Sequence, residues 1–352
     1  MSRQYRAAGF ALAAAALYAL NIPLSKLLLR HIAPTMLAAL LYLGAGGGLL
    51  CWSLAQRACR RAPRAAPLTR KDMPYTAAMV VLDIAAPILL MLGIARTSAA
   101  SVSLLSNFEI VSTALIALVL FGEVISRRLW LAIGLVTAAS LLLSFEGAGS
   151  LRFGSGSLFV LGACACWGLE NNCTKMLSGK SSVEIVTVKG CFSGLGSFII
   201  ARAAGAALPG FRWVCAALAL GFVAYGLSIN FYIMAQKDLG AAKTSAYYSA
   251  APFFGAALGC LLLGERPSLL FYAALALLLP ATALMLKDSI ALQHIHPHTH
   301  VHSHMHRHGA LVHTHPHAHT HTHLHTHGAQ GEVHDHPCPA ASDIPEHVHT
   351  HA

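Results

Sequence analysis

Ten apolar stretches, each about twenty residues long, follow one another from position 8 to position 287, and the pattern of the first five is written again in the second five. Each can cross a hydrocarbon core of roughly 30 Å as a helix. In lipid every backbone N–H and C=O must find its partner within protein, so helices are the form open to such segments. The stretches fall at about 8–29, 33–55, 74–94, 98–121, 126–145, 156–177, 183–204, 213–235, 241–263 and 268–287. The repetition is visible residue by residue. Tyr18-Ala19-Leu20-Asn21-Ile22-Pro23-Leu24-Ser25-Lys26 is matched 149 positions later by Trp167-Gly168-Leu169-Glu170-Asn171-Asn172-Cys173-Thr174-Lys175. Leu120-Phe121-Gly122-Glu123 is matched by Leu262-Leu263-Gly264-Glu265 at an offset of 142. A copy with an odd number of spans enters the membrane upside down. Inverted repeats of this kind surround a shared midplane site in many alternating-access carriers.

The chain is 56% hydrophobic and 11% charged, which sets it apart from soluble domains. Its nine cysteines are scattered, mostly inside apolar stretches and without a C-x-x-C pair. They read as small core residues rather than as disulfides or a zinc site. The net charge of +10 does not lead to nucleic acid, because the basic residues flank spans instead of gathering on a soluble domain. Their distribution gives the orientation. With the N-terminus in the cytoplasm, 15 Lys and Arg residues lie inside and 6 outside, while Lys26, Lys175 and Lys189 stay within spans. The expectation is a multi-pass protein of the inner (plasma) membrane with both termini cytoplasmic. The first span resembles a signal peptide in composition, but its counterpart at 156–177 argues against cleavage.

With two five-span halves, a first helix ending in Lys and a later helix ending in Leu-Gly-Glu, the chain resembles the EamA type of the drug/metabolite transporter superfamily over residues 8–287. The segments that carry the resemblance are Trp167–Lys175 and Ala251-Pro252-Phe253-Phe254 through Gly264-Glu265. It implies a 5+5 inverted fold, a central cavity between the halves, and small organic substrates such as amino acids, metabolites or amphipathic compounds. The halves differ, however. Pro252 stands where such families place a kinking proline, but its counterpart is Ile110, preceded by Glu109. The arginine common in the family's second helix is absent from Leu40-Leu41-Tyr42-Leu43, while Lys189 occupies the equivalent region of the seventh. The expected fold is all-α and membrane-integral. It has ten helices in two inverted repeats, 1–146 and 147–288, followed by a disordered tail, 289–352.

Charges within a span cost several kcal/mol, so they face a cavity or a partner. Glu109, beside Asn107, is the strongest such residue, read either as a proton- or cation-linked site or as a structural acid. Glu170, with Asn171, and Asp83 are further members of the same set, and Lys189 is placed to pair with one of the acids. Lys26 and Lys175 have stems long enough to snorkel to the interface. Glu123 and Glu265 suit helix-end packing or gating, and His31 suits a loop. Tyr225, Asn230, Tyr247 and Tyr248 are cavity-lining residues or packing anchors.

Of 22 histidines, 21 lie between His294 and His351. With so little to bury, this segment is expected to be disordered without a ligand, and its period of two is not taken as evidence for a strand. His298, His300, His302, His304, His306, His315, His317, His319, His321, His323, His325 and His327 offer dense imidazole ligands suited to Zn, Ni, Co or Cu, and Cys338 adds a soft one. The alternative is a solvated, proton-buffering tail. No cofactor is required.

Three functions compete. The first is a secondary carrier, an exporter of small organic solutes, with the tail as a metal-responsive appendage. The second is a divalent metal carrier fed by the tail. The third is a membrane-anchored metal buffer or sensor that transports nothing. The partners follow: a small-molecule substrate, the lipid bilayer and divalent ions, but no nucleic acid. No phosphate loop, nucleophile or metal constellation supports an enzyme.

Overall fold

The computed structural model describes residues 3–58, 68–122, 125–145, 154–177, 180–239, 244, 247–308 and 311–326. They fall into a helical unit, Met1–Ala291, and a C-terminal unit, Leu292–Ala352. The helices are α1 Arg3–Ala19, α2 Asn21–Leu28, α3 Pro34–Ala58, α4 Met73–Arg96, α5 Ala99–Leu105, α6 Phe108–Phe121 and α7 Arg127–Ser144 in the first half. The second half supplies α8 Ser155–Lys175, α9 Ser182–Ala203, α10 Phe211–Gly221, α11 Ser228–Leu239, α12 Ala251–Leu263 and α13 Leu269–Leu292. A π-helical turn, Phe222–Leu227, joins α10 to α11.

Among the described residues, eight helical segments are long and apolar enough to cross a membrane, where the sequence leads to ten. The two shortfalls have different causes. Helix α8 has 21 residues, about 31 Å of helix, but its last turns carry Glu170, Asn171, Asn172 and Lys175. The stretch at 241–263 is broken, and its described part is mainly the 13-residue α12.

The breaks recur at matching places. The fourth span is interrupted at Ser106–Asn107, between α5 and α6, and α12 begins just after a turn at Ser249–Ala250. Both continuations end on a left-handed glycine, Gly122 at φ 66° and Gly264 at φ 65°. Glycine adopts that conformation without a Cβ penalty, which is why Leu-x-Gly-Glu stops both helices.

The halves interleave. The main pairings are α3 with α9, α4 with α8, α1 with α11, α6 with α8, α10 with α3, and α12 with α5, all of them between halves. Exchanging the halves maps this set largely onto itself, as an inverted repeat requires. Small residues make the approach close, because lipid provides no hydrophobic force between helices. A Cβ added to Gly190 of α9 would lie 2.6 Å from the Cα of Gly46 in α3. On α1, Ala7, Ala11, Ala14 and Ala15 form a buried small-residue stripe, while Val119, Leu261 and Leu269 are exposed. Polar groups are gathered inside instead: Asn21, Ser25, Asp83, Glu170 and Ser228 are all buried.

The C-terminal unit contains two paired segments. Strands β1, Gln293–His308, and β2, Leu311–Thr326, pair antiparallel. The alternation of His with Thr, Val, Ile and Leu suits a pleated strand, and two such segments satisfy each other's backbone groups. In this register His294, His296, His298, His300, His302, His304 and His306 stand opposite His325, His323, His321, His319, His317, His315 and His313. His327 and Cys338 lie outside the described residues.

Candidate functional site

A cavity of about 360 Å³ lies where the two halves meet. Each half-helix that follows a break begins at its wall, with Ser106, Asn107, Glu109 and Ile110 on one side and Ser249, Ala251 and Pro252 on the other. Helices α8 and α9 contribute Trp167, Glu170, Asn171 and Lys189.

The acids and the lysine named from the sequence converge. Lys189 Nζ stands 3.0 Å from Asp83 Oδ2 and 3.0 Å from Glu170 Oε1, so one ammonium serves two carboxylates contributed by α4 and α8. Each partner is held from behind. Tyr42 donates its hydroxyl to Asp83 Oδ1 at 3.0 Å, and Thr174 Oγ1 donates to Glu170 Oε1 at 2.5 Å. Asp83 and Glu170 are almost wholly buried, with side-chain exposures of 0% and 3%. Such a triad holds together only because every charge has a partner, since burying ions from water costs several kcal/mol each.

Glu109 is arranged differently. Its Oε1 accepts from Asn171 Nδ2 at 2.8 Å, and that amide also reaches Thr113 Oγ1 at 3.2 Å. Among the described residues no basic side chain forms an ion pair with it. Thr113 Oγ1 and Asn172 Nδ2 fix this corner by bonding to the backbone of Glu109, Thr113 and Gly168. Close packing brings it about: a Cβ on Gly168 would lie 2.6 Å from Ser112 Cβ, so α8 can press Asn171 against α6.

Five aromatic side chains complete the wall: Tyr18, Tyr42, Trp167, Tyr225 and Tyr248. Tyr225 meets Tyr42 at 5.6 Å and Tyr18 at 5.8 Å between ring centroids, and Tyr18 meets Tyr248 at 5.7 Å. Tyr225 lies in the π-helical turn, and Asn21 Nδ2 donates to its hydroxyl at 2.8 Å. Tyr18, Tyr42 and Trp167 were not singled out for the site by the sequence reading. Yet Tyr18 and Trp167 are the aromatic pair that opens the repeated motif, and that equivalence was the available signal. Tyr225 and Tyr248 line the cavity, whereas Asn230 and Tyr247 are not among its lining residues.

Two helix-end residues have specific partners. Lys26 Nζ donates to the carbonyls of Ile94 and, at 2.6 Å, Thr97 at the C-terminus of α4. Glu265 accepts from the N–H groups of Ala99 and Ala100 at 2.7 and 2.8 Å, capping α5 from the other half. A carboxylate at a helix N-terminus and an ammonium at a C-terminus both complement the helix dipole. His31 lies in the turn before α3 and stacks on Trp213 at 3.9 Å. Glu123, the repeat partner of Glu265, lies outside the described residues. Among the described residues of the helical unit, no group of three His, Cys, Asp or Glu side chains is set to hold a metal ion.

Comparison with known proteins agrees with this geometry. An uncharacterized transporter of Methanothermobacter thermautotrophicus is 24% identical over 270 residues, spanning 72% of this chain and 78% of that one. A protein of known crystal structure superposes with a TM-score of 0.59 at 16% identity, over 82% of this chain and 98% of that chain, a likeness of fold alone. The EamA-like transporter family matches twice, at residues 6–145 and 154–287, one match to each half. This multi-pass membrane protein, with its duplicated helical fold and acid-bearing cavity between the halves, belongs to the EamA-like transporter family.

Proposed function

We propose that the protein is a secondary carrier that exports small organic solutes across the plasma membrane, with both termini in the cytoplasm. The observation that carries this reading is Glu109. It borders a cavity between the interleaved halves and has no cationic partner among the described residues, while the neighbouring acids share Lys189. A carboxylate so placed exchanges a proton or a cation as the halves rock, because its charge is costly when the cavity closes and tolerable when water reaches it. Asn107, Asn171 and Lys189 border the same space and serve to orient the solute and Glu109. Asp83 acts from behind, by holding Lys189. None of these steps breaks a covalent bond, so the reading is of a carrier and not an enzyme.

The tail adds metal binding. The antiparallel register sets seven histidines of β1 opposite seven of β2, a density of imidazole suited to Zn, Ni, Co or Cu, and we assign it metal-dependent regulation rather than a cofactor role. Transport of the metal itself is the second reading, favoured by the 21 histidines of the tail and weakened because no metal constellation is found among the described residues of the helical unit.

The test is flux through the purified protein in liposomes under an imposed pH gradient. Glu109→Gln should remove gradient-driven flux, by tenfold or more, with insertion and monodispersity retained. Normal gradient-driven flux by this variant returns Glu109 to a structural role.

A further inference from the structure

We infer that the cavity selects organic cations, with an ammonium group held at Glu109 and an apolar or aromatic body held on the tyrosine–tryptophan wall. The inference rests on the carrier reading and adds the chemical class of what is carried.

Two independent features point the same way. The first is charge. Three carboxyls, those of Asp83, Glu109 and Glu170, cluster with the single ammonium of Lys189, and Lys189 contacts two of them. Among the described residues, Glu109 has the Asn171 amide as donor and no ammonium or guanidinium partner. Among the described residues that line the cavity, Glu109 and Glu170 are the acids and Lys189 the one base. An incoming anion would add repulsion from Glu109 to the cost of leaving water. An incoming cation supplies the charge that the site lacks, and buried charges are tolerated when paired.

The second feature is the wall. Tyr18, Tyr42, Tyr225 and Tyr248 form a continuous run of ring contacts at 5.6–5.8 Å, and Trp167 joins it by donating Nε1–H to the Tyr42 hydroxyl at 3.4 Å. Two of the hydroxyls are engaged within the protein: that of Tyr225 accepts from Asn21, and that of Tyr42 donates to Asp83. Aromatic faces attract ammonium groups, and clusters of them form the sites that recognise quaternary amines. Neither feature needs the other. The acid would suit an inorganic cation, and the aromatic wall a neutral solute, but together they describe an amphipathic cation. The volume of about 360 Å³ falls within the range of roughly 300–1,000 Å³ that holds small organic ligands.

The experiment is equilibrium binding of radiolabelled benzyltrimethylammonium to the purified full-length protein in detergent, with unlabelled competitors. Saturable binding is expected, with displacement by other aromatic and aliphatic amines. N-benzylacetamide, which is neutral, and phenylacetate, which is an anion, should compete at least tenfold less well. Glu109→Gln should weaken binding tenfold or more, and Tyr225→Leu several-fold, in preparations that elute as one species. Should the glutamine variant fail to do so, Glu109→Asn gives a second neutral replacement. Three results overturn the inference: no saturable binding, competition by phenylacetate or Zn2+ that matches or exceeds that of the amines, or unchanged affinity in monodisperse Glu109→Gln. The carrier reading is judged separately by liposome flux. Flux of an anionic solute without cation binding leaves the carrier and removes this inference. Cation binding without flux of any solute does the reverse.

Discussion

The two halves place the same broken helix at the cavity and give it different chemistry. In the first half the break at Ser106–Asn107 is followed by Glu109 and Ile110; in the second, the turn at Ser249–Ala250 is followed by Ala251 and Pro252. Proline suits the start of a helix, where its missing N–H has no partner to lose, so Pro252 fits the second break through backbone chemistry. The first break has no proline. There Asn107 donates its side-chain amide to the carbonyl of Leu104 at 2.9 Å, a local bond that competes with the helix ladder. Both devices produce the same geometry. The lesson is that duplication keeps the scaffold while the carboxylate after the break stands in one copy only.

The same division runs through the triad. The first half gives Asp83, whereas the second gives Lys189 and Glu170, so the charge balance depends on the halves being together. Lys189→Met should therefore break the comparison most severely. Removing the shared ammonium leaves two buried carboxylates unpaired, at an expected cost of about 3–5 kcal/mol. Thermal unfolding in detergent should show the drop, and Asp83→Asn added to Lys189→Met should recover part of it. A wild-type midpoint in the single variant would mean that the triad is not a buried ion pair.

A smaller effect is expected where the halves match. Glu265 ties the second half to the start of α5 through two backbone N–H groups. Glu265→Gln keeps the shape but loses the charge and one acceptor, a loss of about 1 kcal/mol on the scale of helix caps. Hydrogen exchange at Ala99 and Ala100 should quicken roughly fivefold, with exchange near the cavity unchanged. If the amides of α5 hold their protection, the cap is incidental.

The least effect on the helical unit should follow from the largest asymmetry in sequence. The first half has no counterpart to the histidine segment, and that segment forms a unit of its own. Truncation after Gln293 should move the unfolding midpoint by less than about 0.5 kcal/mol equivalent, as expected for changes outside a packed core. Zn or Ni binding, measured as stoichiometry on the purified protein, should fall by most of its value. Full metal stoichiometry after truncation would relocate the binding to the helical unit, and lost insertion would make the tail structural.

The sequence by itself determined the lipid solvent, the helical class, the doubled pattern and which acids lie within apolar stretches. These are written in composition, run length and local motif, each read over a few neighbouring residues. In the histidine segment, β1 and β2 pair antiparallel in a register that composition does not contain.

Only the tertiary structure decided how the charges divide. Asp83, Glu109 and Glu170 are alike in sequence as acids within spans, but one lysine reaches two of them and not the third. That outcome is set by the close seating of α9 on α3 and α8 on α4, through contacts that link residues about a hundred positions apart, such as Asp83 and Lys189. It also gave Lys26 a definite partner, the carbonyls of Ile94 and Thr97 that end α4. Burial makes each such pairing strong, and burial exists only once the halves have interleaved.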